Sequence, residues 1–100
     1  MSAKNPSKKN STGIYNFTME KAIPSYLIAL AVGDIAYHSY GGNTGVYAEK
    51  ELIDACAEEF DALPKMMEAA SKLYGNYQWG QYDVLVLPYS FPFGGMENPR

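Results

Sequence analysis

The feature that most limits how this chain can fold is a change in the spacing of its apolar residues near Glu49. After that point apolar side chains recur every three or four residues, which is typical of one face of an amphipathic helix. Before it they occur in short alternating or continuous runs, which are typical of strands. The sequence therefore predicts an α+β domain. The helical positions are Leu52, Ile53, Cys56, Phe60, Leu63, Met67, Ala70 and Tyr74.

Pro64 divides this helical region in two. Proline breaks a helix interior but is tolerated in the first turn, so we expect one helix over about residues 49–60 and a second over 62–74. Asp61 is the predicted N-cap of the second helix, and Gly75 is expected to end it.

Four segments have the pattern of strands. The first, residues 14–19, alternates and predicts a strand with one solvated face. Residues 26–32 are apolar without interruption, which predicts a strand buried on both faces. A hairpin is expected where residues 35–40 pair with 46–47 through a glycine-rich link. Residues 82–87 form the last predicted strand, which Pro88 stops, after a loop over 76–81.

Composition limits the class of function. The 100 residues carry a net charge of −3, and nucleic-acid binding would need a clustered basic face, so we expect no nucleic-acid partner. The apolar run at residues 26–32 is too short to cross a bilayer, which predicts no membrane partner. One cysteine, Cys56, fits a reducing compartment, and the expected location is the cytoplasm. Residues 1–12 are polar and predict a flexible tail.

Isolated reactive residues have ordinary explanations. His38 is the only histidine, so this sequence cannot supply a metal site built on two histidines, and a surface or packed position is expected. Cys56 lies on the apolar helical stripe with no cation adjacent in sequence, which favours a small buried hydrophobe over a nucleophile.

The segment from Phe91 to Pro99 is the strongest candidate for function. Gly94 and Gly95 leave the backbone free of side chains, so an extended peptide could approach it. Glu97 follows in an apolar setting and could pair with the amino end of such a peptide. The alternative is an ordinary loop in which the glycines turn the chain and Glu97 is a solvated charge.

Three segments in order resemble the M1 family of zinc aminopeptidases, in particular its leukotriene A4 hydrolase and aminopeptidase B branch. They are A-I-P-S-Y-L-I-A-L-A-V-G at 22–33, Y-Q-W-G-Q-Y-D-V-L-V-L-P at 77–88 and S-F-P-F-G-G-M-E-N-P at 90–99. The resemblance implies that residues 13–33 end an N-terminal β domain. Residues 34–100 would then begin a zincin or thermolysin-like catalytic domain, as a sheet with a helix pair.

The resemblance also implies roles for residues of the last segment. As the G-x-M-E-N motif, this segment would be a strand edge along which a peptide substrate lies. Glu97 would bind the free α-ammonium of the substrate, and the backbone of Gly94 and Gly95 would contact its carbonyl near the scissile bond. Phe93 stands where the nearest relatives have tyrosine. The full set of expected substrate-binding residues is Phe93, Gly94, Gly95, Met96, Glu97 and Asn98.

The family's zinc-binding H-E-x-x-H segment is expected to follow this motif, and it is not among these 100 residues. We therefore expect a piece of a zinc metallo-aminopeptidase that by itself binds no zinc, contains no catalytic residue and needs the rest of the parent polypeptide for activity. Two alternatives remain open on the sequence. One is a non-catalytic module that binds peptide N-termini, and the other is a non-functional truncated product.

Overall fold

The structure is a computed structural model that describes residues 11–99. Most of the predicted tail therefore lies outside the described residues. The regular elements are a short 3₁₀ turn (Ser25–Leu27), three strands and two helices. In chain order they are β1 (Ile35–Gly41), β2 (Thr44–Glu49), α1 (Ile53–Glu59), α2 (Leu63–Tyr74) and β3 (Tyr82–Leu85). The predicted α+β class is confirmed.

The three strands form one sheet in the order β1–β2–β3. β1 and β2 are antiparallel, with Tyr37 opposite Tyr47 and His38 opposite Val46, which confirms the predicted hairpin. Gly41 and Gly42 turn the chain with φ of 87° and 59°, values that glycine adopts without steric cost. β3 lies parallel to β2, and the two helices provide the crossover that a parallel pair requires.

One face of the sheet packs against the helices. Val46 and Ala48 of β2 are fully buried there, and Leu63 at the start of α2 is buried with them. The hydroxyl of Tyr40 donates to the carbonyl oxygen of Ala57 at 3.0 Å, so a β1 side chain bonds to the last turn of α1. The central strand is therefore the best-packed element of the described residues.

Both predicted helices are present, but the junction between them differs from the prediction. α2 begins with Leu63 and Pro64, and Ala62 is its N-cap with no side-chain hydrogen bond. The prediction of Asp61 as N-cap was wrong, because the helix starts one residue later and the carboxylate makes no capping bond. Gly75 ends α2 at φ 90°, as predicted.

The strands expected near the start of the described region do not form. Residues 14–18 are exposed and contain only a single bridge residue, Thr18. Pro24 precedes the 3₁₀ turn, Ile28 directly after it is extended, and residues 28–32 belong to no strand. Both predictions were wrong within residues 11–99, because alternation and apolarity describe a strand's faces but do not supply a neighbouring strand. β3 is also two residues shorter than predicted.

The Lys21 side chain connects the segment before β1 to the loop between α2 and β3. The Lys21 ammonium lies 5.3 Å from the centre of the Trp79 ring and donates to the carbonyl oxygen of Gln78. Trp79 lies in the predicted loop between α2 and β3. No helix in the described part of the chain is both long and apolar enough to span a membrane.

Candidate functional site

The candidate site lies on the segment that leaves the end of β3. The Val86 amide still donates to the Tyr47 carbonyl at 2.9 Å, one residue beyond the strand. The Phe91 amide then donates to the Pro88 carbonyl at 2.9 Å and closes a turn. The rings of Phe91 and Phe93 meet edge to face, with centres 5.5 Å apart. This arrangement carries the chain from the sheet into the glycine pair.

The backbone at Gly94 and Gly95 is open on its side-chain side. A Cβ placed on either glycine would meet no atom within 4 Å. Gly95 has φ of 153°, a conformation that residues with a Cβ rarely adopt. A peptide could therefore approach this backbone closely, as the sequence predicts.

Glu97 is exposed, and it forms no ion pair or hydrogen bond with the residues described, 11–99. Its neighbour Met96 is also exposed. Asn98 is half-buried, and its Oδ1 atom is buried without a hydrogen-bond donor in the described region. The accessible acceptor for a ligand is therefore the Glu97 carboxylate, since the Asn98 oxygen is enclosed by the protein.

The structure brings the predicted binding residues together along one segment but does not place them in a strand. Residues 86–99 contain no strand, so the strand edge that the resemblance implied is not formed within the described residues. Beyond Val86, no residue of this segment makes a backbone hydrogen bond to a strand of the sheet within the described residues. Whether Phe93 and Met96 contact a peptide stays a prediction, although both side chains are accessible.

A polar cluster that the sequence analysis did not identify lies at the start of β3. The Tyr37 hydroxyl donates to Asp83 Oδ1 at 3.2 Å. Gln81 Nε2 donates to the same oxygen at 2.8 Å and also contacts the Tyr37 hydroxyl oxygen at 3.2 Å. Asp83 of β3 lies opposite Gly45 of β2, which places it beside the hairpin. This neighbourhood cannot be read from the spacing of residues in the sequence.

Burial shifts the ionisation of the two tyrosines in this cluster. The rings of Tyr37 and Tyr47 are 4.4 Å apart. Partial burial raises the pKa of Tyr37, and the nearby Asp83 charge raises it further. Burial followed by the Asp83 charge likewise raises the pKa of Tyr47. Both hydroxyls therefore stay protonated to higher pH than a free tyrosine, since ionisation would place a second negative charge beside Asp83.

Gly45 is needed for this cluster to form. A Cβ on Gly45 would lie 2.2 Å from the Tyr37 hydroxyl oxygen, well inside van der Waals contact. The Tyr37 ring thus covers the buried backbone of a strand glycine, an arrangement known from cross-strand aromatic–glycine pairs.

The described residues do not fit a zinc site. Among residues 11–99, no group of three or more His, Cys, Asp or Glu side chains could hold a metal ion. His38 is exposed, and its ring lies 4.9 Å from that of Tyr40, in accord with the expected surface position. Cys56 is half-buried on α1 and less enclosed than expected.

Comparison with known proteins gives a consistent set of relatives. No established family profile matches the chain. It is 51% identical over 86 residues to leukotriene A-4 hydrolase of Xenopus laevis, covering 86% of this chain and 14% of that protein. It is 51% identical over 84 residues to aminopeptidase B of Rattus norvegicus, covering 83% and 13%. The solved structure of native yeast LTA4 hydrolase superposes with a TM-score of 0.84 at 38% identity, covering 93% and 15%. The chain spans about one seventh of the length of these relatives.

Proposed function

We infer a role in aminopeptidase chemistry from the premise that this chain is homologous to a segment of leukotriene A4 hydrolase and aminopeptidase B, enzymes of the M1 family. The proposal is that the chain is the substrate-anchoring part of a metallo-aminopeptidase that removes amino-terminal residues from peptides. The observation that carries it is the exposed, unpaired carboxylate of Glu97 beside open glycine backbone.

Charge pairing would select the end of the peptide. A free peptide N-terminus carries an α-ammonium group, which donates up to three hydrogen bonds. Glu97 offers a carboxylate that no described side chain neutralises. Charge-assisted hydrogen bonds of this kind are about twice as strong as neutral ones. An acetylated N-terminus lacks the charge, so we propose that the site discriminates against it.

The glycine backbone would position the first residues of the peptide. With no side chain on Gly94 or Gly95, the substrate backbone could lie against these peptide groups and exchange hydrogen bonds with them. Phe93 and Met96 flank the segment with accessible apolar surface, which could contact the substrate's side chains. The chain would therefore fix both the end and the direction of the peptide.

Zinc belongs to this proposal only through the intact enzyme. The resemblance implies a zinc ion that acts as Lewis acid there, and the described residues offer no ligand set for it. The proposed role of these residues is to bind and orient the peptide. The single cysteine supports a reducing compartment, so the cytoplasm is the proposed location.

The test is a chimera in which residues 14–99 replace the aligned segment of a full-length aminopeptidase B. We expect Glu97→Gln to lower kcat/KM for a free-amine peptide by about ten- to a few hundred-fold. Hydrogen bonds to charged groups contribute roughly 1.5–3 kcal/mol, and about 1.4 kcal/mol corresponds to a factor of ten. Zinc content should not change, because Glu97 is proposed as an anchor and not as a metal ligand.

Two controls make this result specific. Glu59→Gln changes an exposed carboxylate on α1 and should leave kcat/KM unchanged. N-acetylated peptides should be poor substrates of the parent chimera and should lose little more in Glu97→Gln. Full activity of Glu97→Gln, or a loss of zinc, would show that the proposed anchoring role is wrong.

A further inference from the structure

The backbone of Phe91 is restrained on both sides. Its amide donates to the Pro88 carbonyl at 2.9 Å, which closes a turn through Tyr89 and Ser90. Pro92 follows directly, and its ring fixes its own φ and disfavours the helical region for the residue before it. The Phe91 side chain therefore leaves the chain from a backbone position that has little conformational freedom.

The Phe91 ring contacts the residue that precedes the glycine pair. The ring centres of Phe91 and Phe93 lie 5.5 Å apart and their planes are inclined by 71°, the edge-to-face geometry that aromatic pairs prefer. Phe91 is 38% exposed and Phe93 is 70% exposed. The more enclosed ring thus belongs to the residue with the restrained backbone, and it supports the more exposed one.

The backbone directly after Phe93 has no comparable support. Gly94 and Gly95 have no side chains, and a Cβ built on either would meet no atom within 4 Å. Glu97 lies two residues further on and forms no ion pair or hydrogen bond within residues 11–99. The contact between the two rings is therefore what fixes the point at which the chain enters the anchoring segment, residues 94–98.

We propose that Phe91 is a positioning residue for peptide binding. Its ring holds the Phe93 ring, and this contact sets the direction in which the backbone of the glycine pair and then Glu97 are presented to the substrate. Phe91 itself touches no substrate. The inference rests on the proposed function and adds to it a residue that acts through another.

The experiment uses the full-length aminopeptidase B chimera that carries residues 14–99, with a free-amine peptide as substrate. Phe91→Leu keeps an apolar side chain and removes the ring. We expect KM to rise about two- to tenfold, the size of one aromatic pair contact. The value of kcat should stay within about twofold, because an anchor for the α-ammonium binds ground state and transition state alike.

Three controls separate positioning from a general loss of structure. Phe91→Tyr keeps the ring and should retain the KM of the parent chimera. Tyr89→Leu removes a fully exposed ring from the same turn and should also leave KM unchanged. The zinc content and thermal midpoint of Phe91→Leu should equal those of the parent. An unchanged KM in Phe91→Leu, or an equal rise in Phe91→Tyr or Tyr89→Leu, would overturn the inference.

A double-mutant cycle with Phe93→Leu tests whether the ring contact is the route of the effect. Once Phe93 is leucine the contact no longer exists, so Phe91→Leu should then change KM by less than about twofold. If Phe91→Leu raises KM by the same factor in both backgrounds, Phe91 does not act through Phe93 and the inference is wrong.

Glu97→Gln in the same chimera distinguishes this inference from the proposed function. Loss of activity in Glu97→Gln together with an unchanged KM in Phe91→Leu would support the anchoring role and overturn only the positioning role. Full activity in Glu97→Gln would overturn the anchoring role, and with it the role assigned to Phe91, whatever the KM of Phe91→Leu.

Discussion

At the scale of single residues, Gly45 and Tyr37 form one packing unit. We expect Gly45→Ala to destabilise the chain by about 1–2 kcal/mol, because the new Cβ would displace the Tyr37 ring from Asp83 and Gln81. In a Tyr37→Ala background the same change should be neutral or stabilising, because alanine suits a strand interior better than glycine. Urea unfolding of the four proteins in this double-mutant cycle provides the measurement.

If Gly45→Ala changes the free energy of unfolding equally in both backgrounds, its effect does not come from contact with the Tyr37 ring. The cycle therefore separates contact with Tyr37 from any general intolerance of a side chain at this position. It also tests whether the polar cluster at the start of β3 depends on the hairpin glycine.

The raised tyrosine pKa values give the chain a specific dependence on alkaline pH. Below a pH of about 10, the ordinary tyrosine pKa, both folded and unfolded chains keep their phenol protons, so the stabilising contribution is complete. Above that pH the unfolded chain ionises first, and stability falls as the pH rises towards the folded pKa of Tyr37 and Tyr47.

We expect the urea midpoint to decline between about pH 9 and pH 11, a range centred on the ordinary tyrosine pKa of about 10. The decline should be smaller in Tyr37→Phe than in the original chain. Tyr74→Phe, at an exposed position on α2, is the control and should retain the full decline. The same slope in both variants would assign the alkaline effect to other groups, such as the lysines.

At the scale of elements, the end of α2 depends on Gly75. Its φ of 90° and ψ of 172° lie in a region that is essentially restricted to glycine. We expect Gly75→Ala to lower the free energy of unfolding by about 1–3 kcal/mol. Gly33→Ala is the matched control, since Gly33 has no positive φ and a Cβ placed on it would meet only Ile35 at 4.0 Å. Thermal unfolding by circular dichroism compares the two.

If the two substitutions cost the same, the left-handed turn after α2 is not required for stability. A cost confined to Gly75→Ala would show that the turn fixes the direction of the chain from α2 into the loop that carries Trp79. That loop leads directly to β3.

The elements that could be predicted from the sequence are those whose signals are local. Helical spacing, Pro64 and Gly75 define the helix pair, and the glycine-rich link defines the hairpin between β1 and β2. The parallel pairing of β3 with β2 depends on the crossover, which spacing alone does not specify. Residues 14–19 and 26–32 have strand-like sequences, but without a partner strand in the described region they form no strand and stay largely exposed.

The candidate site shows the same division between local and distant signals. Open backbone at Gly94 and Gly95 follows directly from the absence of side chains. The Tyr37–Asp83 hydrogen bond joins residues 46 positions apart and could not be found from spacing. The proposed role of Glu97 depends on the resemblance together with its free carboxylate, and neither alone identifies the ligand.

At the scale of the whole molecule, stability depends on a small core centred on β2. Val46 is the largest fully buried side chain, and only Ala48 and Leu63 join it as buried apolar residues in the described part of the chain. Domains of this size have about 5–15 kcal/mol of total stability. A core this limited places the chain at the lower end, so the loss of one buried side chain is expected to unfold a measurable fraction of it.

Val46→Ala tests this expectation. Removing two methyl groups from a fully buried site should cost about 1.5–3 kcal/mol, from roughly 0.8 kcal/mol for each buried carbon plus the cavity that remains. Leu73→Ala removes more atoms from an exposed site on α2 and should change the free energy of unfolding by no more than about 0.5 kcal/mol. Urea unfolding at one fixed protein concentration compares the two. If Val46→Ala costs no more than Leu73→Ala, the fold is not held by the contact between β2 and the helices.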